Sequence, residues 1–202
     1  YYFRNEAGPG TLVDWQLQEL NAWSIDVGAF ASPALFDLDE DGDLDLIIGE
    51  RNGNLNYYRN EGAPDAADGW TLVTELLGGI NVAGGDLGVG FSMPYLWRVS
   101  GRSFLLVGTL EGRCQFYRDI QVDHLGTYPL GLQDFADYKD GERAAPVFAD
   151  FDGDGLRDFV VGNYAGGLQA YRGLVTTSVS SYEPHPNSCR ISAPAEIGRA
   201  HV

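Results

Sequence analysis

Carboxylate side chains are concentrated in two short stretches of the chain that share one spacing. The sequence DLDEDGDLD occupies residues 37–45, and DFDGDGLRD occupies residues 150–158. Alternate side chains on a tightly turning loop can converge on one point, where like charges repel unless a cation lies between them. Both stretches fit the pattern D-x-D-x-D-G-x-x-D, whose aspartates are Asp37, Asp39, Asp41 and Asp45 in the first stretch and Asp150, Asp152, Asp154 and Asp158 in the second.

Calcium is the cation that this set of ligands favours, because Ca²⁺ accepts about six to eight hard oxygen atoms. The main-chain carbonyl of Asp43 or Leu156, together with water, would complete each coordination shell, and a glycine in each stretch permits the bend. The side chains of Asp43 and Glu40 have no counterparts in the second stretch, so we expect them to face solvent. The sequence therefore predicts two Ca²⁺ sites, with a solvated acidic turn as the alternative.

The twelfth position of each stretch excludes an EF-hand. An EF-hand loop needs a glutamate there that binds calcium through both oxygens. This chain has Ile48 and Val161 at that position, and both lie in segments that read as strands. The predicted sites therefore belong to a different kind of calcium loop.

Each acidic stretch lies inside a longer segment that recurs in the chain. Residues 32–60 match residues 145–173, with shared proline, glycine and Tyr-Arg positions. A third copy, residues 93–119, keeps the proline and the glycines but has the shorter WRVSGRS at 97–103 in place of an acidic loop, so we predict no metal site there. The opening YYFRNE resembles the end of a repeat. Arginine recurs at matching positions, namely Arg4, Arg59, Arg118 and Arg172.

The repeated segments read as short antiparallel strands. DLIIG and DFVVG are β-branched and bounded by glycine, whereas NLNYYRN alternates apolar and polar residues. Units of four strands at this period are typical of β-propeller blades, and a closed propeller needs at least about four of them. We predict an all-β propeller fragment of about three four-stranded blades, forming an open arc that is incomplete at both ends. A β-sandwich is the alternative. The predicted repeats lie near residues 32–88, 92–140 and 145–173.

Composition limits the function classes. A formal net charge of -16 argues against nucleic acid as a partner, since phosphate contacts need lysine and arginine. The sequence contains no apolar run long enough for a transmembrane segment. Two cysteines, Cys114 and Cys189, are too few for a disulfide scaffold, and Cys114 reads as a small buried residue in a strand.

The pattern P-x-x-x-D-x-D-x-D-G-x-x-D, followed by a strand that ends in glycine, resembles the FG-GAP/VCBS-type repeat. The resemblance covers residues 1–173. It implies a β-propeller with Ca²⁺ in the hairpin between the first two strands of a blade, in a secreted or cell-surface protein of bacterial type. Residues 174–195 would then form a linker or the start of a C-terminal sorting region. Residues 196–202, EIGRAHV, resemble a translated sequencing adapter and are expected to be non-native.

No arrangement of residues typical of catalysis stands out, so we expect no enzyme activity in these residues. Two function classes stay open. The first is a calcium-stabilised extracellular module for binding or adhesion that recognises protein or glycan. The second is an accessory scaffold of a larger secreted enzyme. Trp23, Trp70 and Trp97 would stack on sugars if they were exposed, although packing between blades is the favoured expectation.

Overall fold

The computed structural model describes residues 1–20, 22–62, 69–84, 88–120 and 126–173. Regular structure in these ranges is almost entirely β, with three single 3-10 turns at Ala22–Ser24, Leu77–Gly79 and Phe135–Asp137. The strands are β1 (Tyr2–Asn5), β2 (Trp15–Glu19), β3 (Ser32–Phe36), β4 (Asp45–Gly49), β5 (Leu55–Asn60), β6 (Trp70–Thr74), β7 (Met93–Val99), β8 (Arg102–Gly108), β9 (Cys114–Arg118), β10 (Leu130–Leu132), β11 (Ala145–Ala149), β12 (Asp158–Gly162) and β13 (Leu168–Tyr171).

The strands form four antiparallel sheets in chain order. The first sheet pairs β1 with β2, the second runs β3-β4-β5-β6, the third β7-β8-β9-β10 and the fourth β11-β12-β13. Within each sheet, every strand pairs with its neighbour in sequence, and the sheets do not join into a closed barrel. The predicted all-β class and the open arrangement are confirmed. The four-stranded unit is complete in the second and third sheets, whereas the described parts of the first and fourth are incomplete.

Consecutive sheets pack face to face through β8, which is buried on both sides. Leu105 and Val107 point into one apolar cluster with Ile47, Leu55 and Tyr57 of the second sheet. The alternate residues of β8 point into the next cluster, which the fourth sheet completes. The members of that second cluster from the two sheets include Phe104, Leu106, Cys114, Phe116, Phe148, Phe159 and Val161. Because side chains alternate along a strand, one strand supplies the core on both of its faces.

Two glycines allow neighbouring sheets to approach closely. A Cβ atom at Gly49 would collide with the main-chain carbonyl of Ser92, and one at Gly108 would collide with that of Ala144. Each glycine is the last residue of the second strand of its sheet. Each carbonyl belongs to the residue just before the first strand of the next sheet. The repeated glycine is therefore a contact point between sheets. The first strands of successive sheets are also in contact, β3 with β7 and β7 with β11.

The third copy has a tight hairpin between β7 and β8 where the second and fourth sheets have an acidic loop. Ser100 and Gly101 connect the two strands directly, and both have positive φ, 51° and 73°. Two such residues form the turn that matches the twist of antiparallel strands.

Several other expectations can be compared with the described residues. Trp97 is buried between sheets, and Cys114 is fully buried with the other core residues of the third sheet. Leu168 differs from its repeat counterparts Leu55 and Cys114, because it is 67% exposed whereas they are 0% exposed. The predicted linker at 174–195 and the predicted non-native tail at 196–202 lie outside the described residues. Within the described ranges, no helix combines the length and apolar character that crossing a membrane requires.

Candidate metal centres

The first acidic loop connects β3 to β4 and brings three of its carboxylates together. Asp37, Asp39 and Asp41 each place a carboxylate oxygen within 4.8 Å of the other two. The loop is held by its own side chains, since Asp39 accepts a hydrogen bond from the Asp41 amide and Asp41 accepts one from the Asp43 amide. These bonds shape the turn that the spacing predicts. Side chains of Glu40 and Asp43 are exposed, as expected.

One oxygen in this loop lacks the partner that burial normally requires. Oδ1 of Asp37 is shielded from solvent and has no hydrogen-bond partner among the described residues. An unpaired buried acceptor is costly, and a carboxylate oxygen more so. The main-chain carbonyl of Asp37 is occupied, because Arg98 of the third sheet donates to it at 2.7 Å. The free carboxylate oxygen therefore fits a cation held by this loop.

The pKa of Asp39 reflects both its partial burial and the negative charges around it. Its pKa is raised above the ordinary value by burial, and next by the negative charge of Asp45, with smaller contributions from the charges of Asp41 and Asp37. The amide of Asp41 acts in the opposite direction. A divalent cation at this point would offset the repulsion that raises the pKa.

The second acidic loop connects β11 to β12 and repeats the hydrogen bonds of the first. Asp152 accepts from the Asp154 amide and Asp154 accepts from the Leu156 amide, as their counterparts do. The carboxylates that converge are Asp150, Asp152 and Asp158, with their oxygens within 4.8 Å of one another. The two loops therefore share a backbone shape but bring together different aspartates.

Neighbouring groups already engage part of the second cluster. Both oxygens of Asp150 accept amide hydrogen bonds, from Gly153 and Gly155. Arg172 lies 2.8 Å from Asp152 and forms an ion pair with it. The Arg172 side chain is largely exposed, so it can move aside when a cation binds. The first loop has the more open set of carboxylate oxygens.

The last aspartate of each loop has a second task that the spacing did not reveal. Asp45 is fully buried and accepts hydrogen bonds from the amides of Leu38 and Asn60 and from the Tyr57 hydroxyl. Burial and the Asp45 charge raise the pKa of Tyr57 above its ordinary value, so this hydroxyl stays protonated and remains a donor. Asp45 therefore ties the loop to the third strand of its sheet.

Asp158 repeats this arrangement in the fourth sheet. It is also fully buried, and its two oxygens accept from the amides of Phe151 and Gly173. Sequence reasoning treated both residues only as ligands. Their places as the first residues of β4 and β12, next to apolar strand residues, were the available signal of burial.

Outside the two loops, Cys114 has a nucleophilic side chain but is fully buried. Burial raises the pKa of the Cys114 thiol to about 12, which keeps it protonated and unreactive. The acidic loops can concentrate a hard cation between the first two strands of a sheet, and they position no nucleophile beside it. Comparisons with protein families, with curated proteins and with solved structures find no match to this chain.

Proposed function

We propose that this protein is a calcium-stabilised extracellular module, of the FG-GAP/VCBS-repeat type, that binds protein or glycan. The observation that carries the calcium part is the convergence of aspartates in two repeat-related hairpins, with an unpaired buried oxygen on Asp37. The role proposed for the metal is structural, because each loop joins the first two strands of a sheet.

The proposed location agrees with the affinity of calcium sites in extracellular modules. Extracellular calcium modules have dissociation constants of about 10⁻⁴–10⁻³ M, which match calcium outside cells rather than in the cytosol. At about millimolar calcium, a site with a constant near 10⁻⁴ M adds about 1.4 kcal/mol to the free energy of unfolding. Two such sites add an amount that matters for a chain of marginal stability.

Calcium binding can be tested by thermal unfolding. We expect Ca²⁺ to raise the melting temperature, EDTA to lower it, and Mg²⁺ to have a smaller effect because it prefers a rigid octahedral shell. Replacing one ligand in each loop, as Asp37→Asn with Asp150→Asn, should remove most of the calcium effect. Asp43→Asn is the matched control, since its side chain is exposed and lies outside the cluster.

The opposite result is equally clear. An unchanged melting temperature in calcium, together with indifference to EDTA, would show that the loops are solvated acidic turns. Ligand recognition needs a separate measurement on the calcium-loaded protein. A glycan array and capture of purified extracellular proteins would show which class of ligand it binds, and the absence of both would refute the binding role.

A further inference from the structure

One turn recurs just before the first strand of three sheets, and it has an uncommon backbone. Phe30, Phe91 and Arg143 occupy it, each three residues before the repeated proline. All three have positive φ, at 63°, 48° and 55°. Residues other than glycine rarely adopt this conformation, which costs about 1–3 kcal/mol and is concentrated at functional sites. The three side chains therefore project from equivalent points of successive sheets.

These side chains meet at one place. The rings of Phe30 and Phe91 lie edge to face with centroids 4.8 Å apart. The guanidinium carbon of Arg143 lies 4.2 Å from the Phe91 ring centre, 5.2 Å from that of Phe30 and 4.8 Å from that of Tyr164. A cation within about 6 Å of a ring face is attracted to it. We call these four residues the Arg143 cluster.

Arg143 lacks the carboxylate partner that other arginines of this chain have. Arg98, Arg102 and Arg113 each form ion pairs. The chain carries 29 acidic residues against 13 basic ones, so carboxylates are abundant. Among the described residues, none lies within ion-pair distance of Arg143, and its buried Nε has no hydrogen-bond partner. Aromatic rings surround this charge and leave its hydrogen-bonding capacity unused.

The Arg143 cluster lies at the end of the sheets opposite the acidic loops. The Arg143 amide donates to Leu110, and the Phe91 amide donates to Arg51. Arg51 and Leu110 lie in the hairpins between the second and third strands, whereas the acidic loop of the second sheet joins its first and second strands. Successive hairpins of an antiparallel sheet lie at opposite ends. The cluster is therefore separate from the proposed calcium sites.

Two rings of the cluster are open to solvent. Phe30 is 60% exposed and Tyr164 is 70% exposed, and the Tyr164 amide is anchored to the Glu142 carbonyl at 2.7 Å. The exposed aromatic rings and the guanidinium therefore offer a stacking contact and a charged contact close enough together for one sugar to reach both. A carboxylate would accept paired hydrogen bonds from the guanidinium, and the apolar face of a sugar ring would pack on tyrosine or phenylalanine.

We propose that the Arg143 cluster binds a uronic acid residue of a glycan, with the sugar carboxylate on Arg143 and the sugar ring against Tyr164 and Phe30. The inference rests on the proposed function and names its ligand class. The guanidinium lies over one face of the Tyr164 ring at 4.8 Å, so a sugar whose carboxylate binds Arg143 would place its ring against the other face of Tyr164. Densely charged polyanions fit less well, since the net charge of -16 repels them at long range.

The test is isothermal titration of the full calcium-loaded chain with a trisaccharide of galacturonic acid, and with the neutral galactose trisaccharide. We expect binding of the acidic sugar alone. Arg143→Gln should weaken it by about tenfold or more, because hydrogen bonds to charged groups are lost. Tyr164→Ala should weaken it several-fold, and this exposed position keeps the test valid if Arg143→Gln fails to fold. Arg118→Gln is the control and should bind like the parent protein.

Three results would overturn the inference. They are equal binding of the two sugars, undiminished binding by both Arg143→Gln and Tyr164→Ala, and no binding of the acidic sugar by the parent protein. Capture of an acidic peptide through Arg143, in place of the sugar, would overturn it as well. Binding of other glycans or proteins on the array would then leave the proposed function standing, so the two failures are distinguishable.

Discussion

The fourth aspartate of each acidic loop differs from the three before it in burial and in partners. Asp45 and Asp158 are fully buried acceptors of main-chain amides, whereas Asp39 and Asp41 are exposed. Identical residues at a regular spacing therefore perform two tasks. The earlier aspartates of each loop are available to a cation, and Asp45 and Asp158 hold the loop against the sheet, although Asp158 also lies in the second cluster.

Replacing Asp45 by alanine should destabilise the protein even in EDTA. The change leaves the amides of Leu38 and Asn60 and the Tyr57 hydroxyl without their acceptor, and we expect a loss of about 3 kcal/mol or more in the free energy of unfolding. Urea unfolding measures it. Asp41→Ala is the control: it removes one exposed hydrogen bond, so its effect in EDTA should be small and its main effect should appear when calcium is present. Equal effects of the two variants in EDTA would contradict the assignment.

The spacing of the aspartates predicts which residues lie near one another but not how each is oriented. The convergence of Asp37, Asp39 and Asp41 agrees with the sequence pattern. The sequence predicted Asp150, Asp152, Asp154 and Asp158 as ligands of the second site, and Asp150, Asp152 and Asp158 are the three that converge there. The orientation of the last aspartate in each loop involves partners distant in sequence, namely the amides of Asn60 and Gly173, which the spacing does not indicate.

At the level of strands, the glycine that ends the second strand recurs in three sheets, but the atoms that surround it differ from sheet to sheet. Gly49 and Gly108 face main-chain atoms of the following sheet, where no atom can move without shifting a strand. Gly162 occupies the same repeat position, but an added Cβ there would meet only the Leu168 side chain, at 3.3 Å. The repeat alone predicts one role for all three.

Gly108→Ala should be severely destabilising, and Gly162→Ala should be tolerated. The methyl group at 108 would overlap the Ala144 carbonyl and force two packed sheets apart, with an expected loss of about 3 kcal/mol or more. At 162 the flexible Leu168 side chain can yield, and we expect a change within about 0.5 kcal/mol. Chemical denaturation of the two variants provides the comparison. Similar losses would show that strand conformation, and not sheet contact, selects glycine.

Strand positions were largely predictable, because the alternation of side chains and the glycine-bounded apolar runs are local signals. The absence of aspartates in the third copy also indicated that the hairpin between β7 and β8 lacks an acidic loop. Contacts between sheets were not readable, since the carbonyl that meets Gly108 belongs to residue 144 and its approach depends on tertiary packing. The recurrent turn of Phe30, Phe91 and Arg143 was missed because its residues differ in type, and only their distance from the proline is constant.

Among the described residues, burial is most complete in the strands at the middle of the series of sheets. β8 contributes to both apolar clusters, whereas β1 and β2 expose Phe3, Trp15 and Leu17. In stacked repeats each unit is stabilised by its neighbours, so a unit covered on both faces opens least often. The exposed Leu168 marks the same gradient at the other end of the described chain.

Hydrogen exchange should therefore vary along the chain in a defined order. Amides of β8 should exchange only through global unfolding, and those of β1 and β2 should exchange faster through local opening. Nuclear magnetic resonance of the calcium-loaded protein resolves the individual amides. Equal protection in β1 and β8 would show that the sheets unfold as one unit and that burial on two faces adds nothing.

The two-residue turn at Ser100–Gly101 has a consequence for how such a chain can change over time. It closes the same hairpin that an eight-residue acidic loop closes in the neighbouring copies, and the sheet behind it is complete. Duplicated units of this design can thus replace an ion-dependent hairpin by an ion-independent one, with a segment two residues shorter whose strands extend further toward the turn. Hairpins become free to diversify while the packed faces keep successive units compatible.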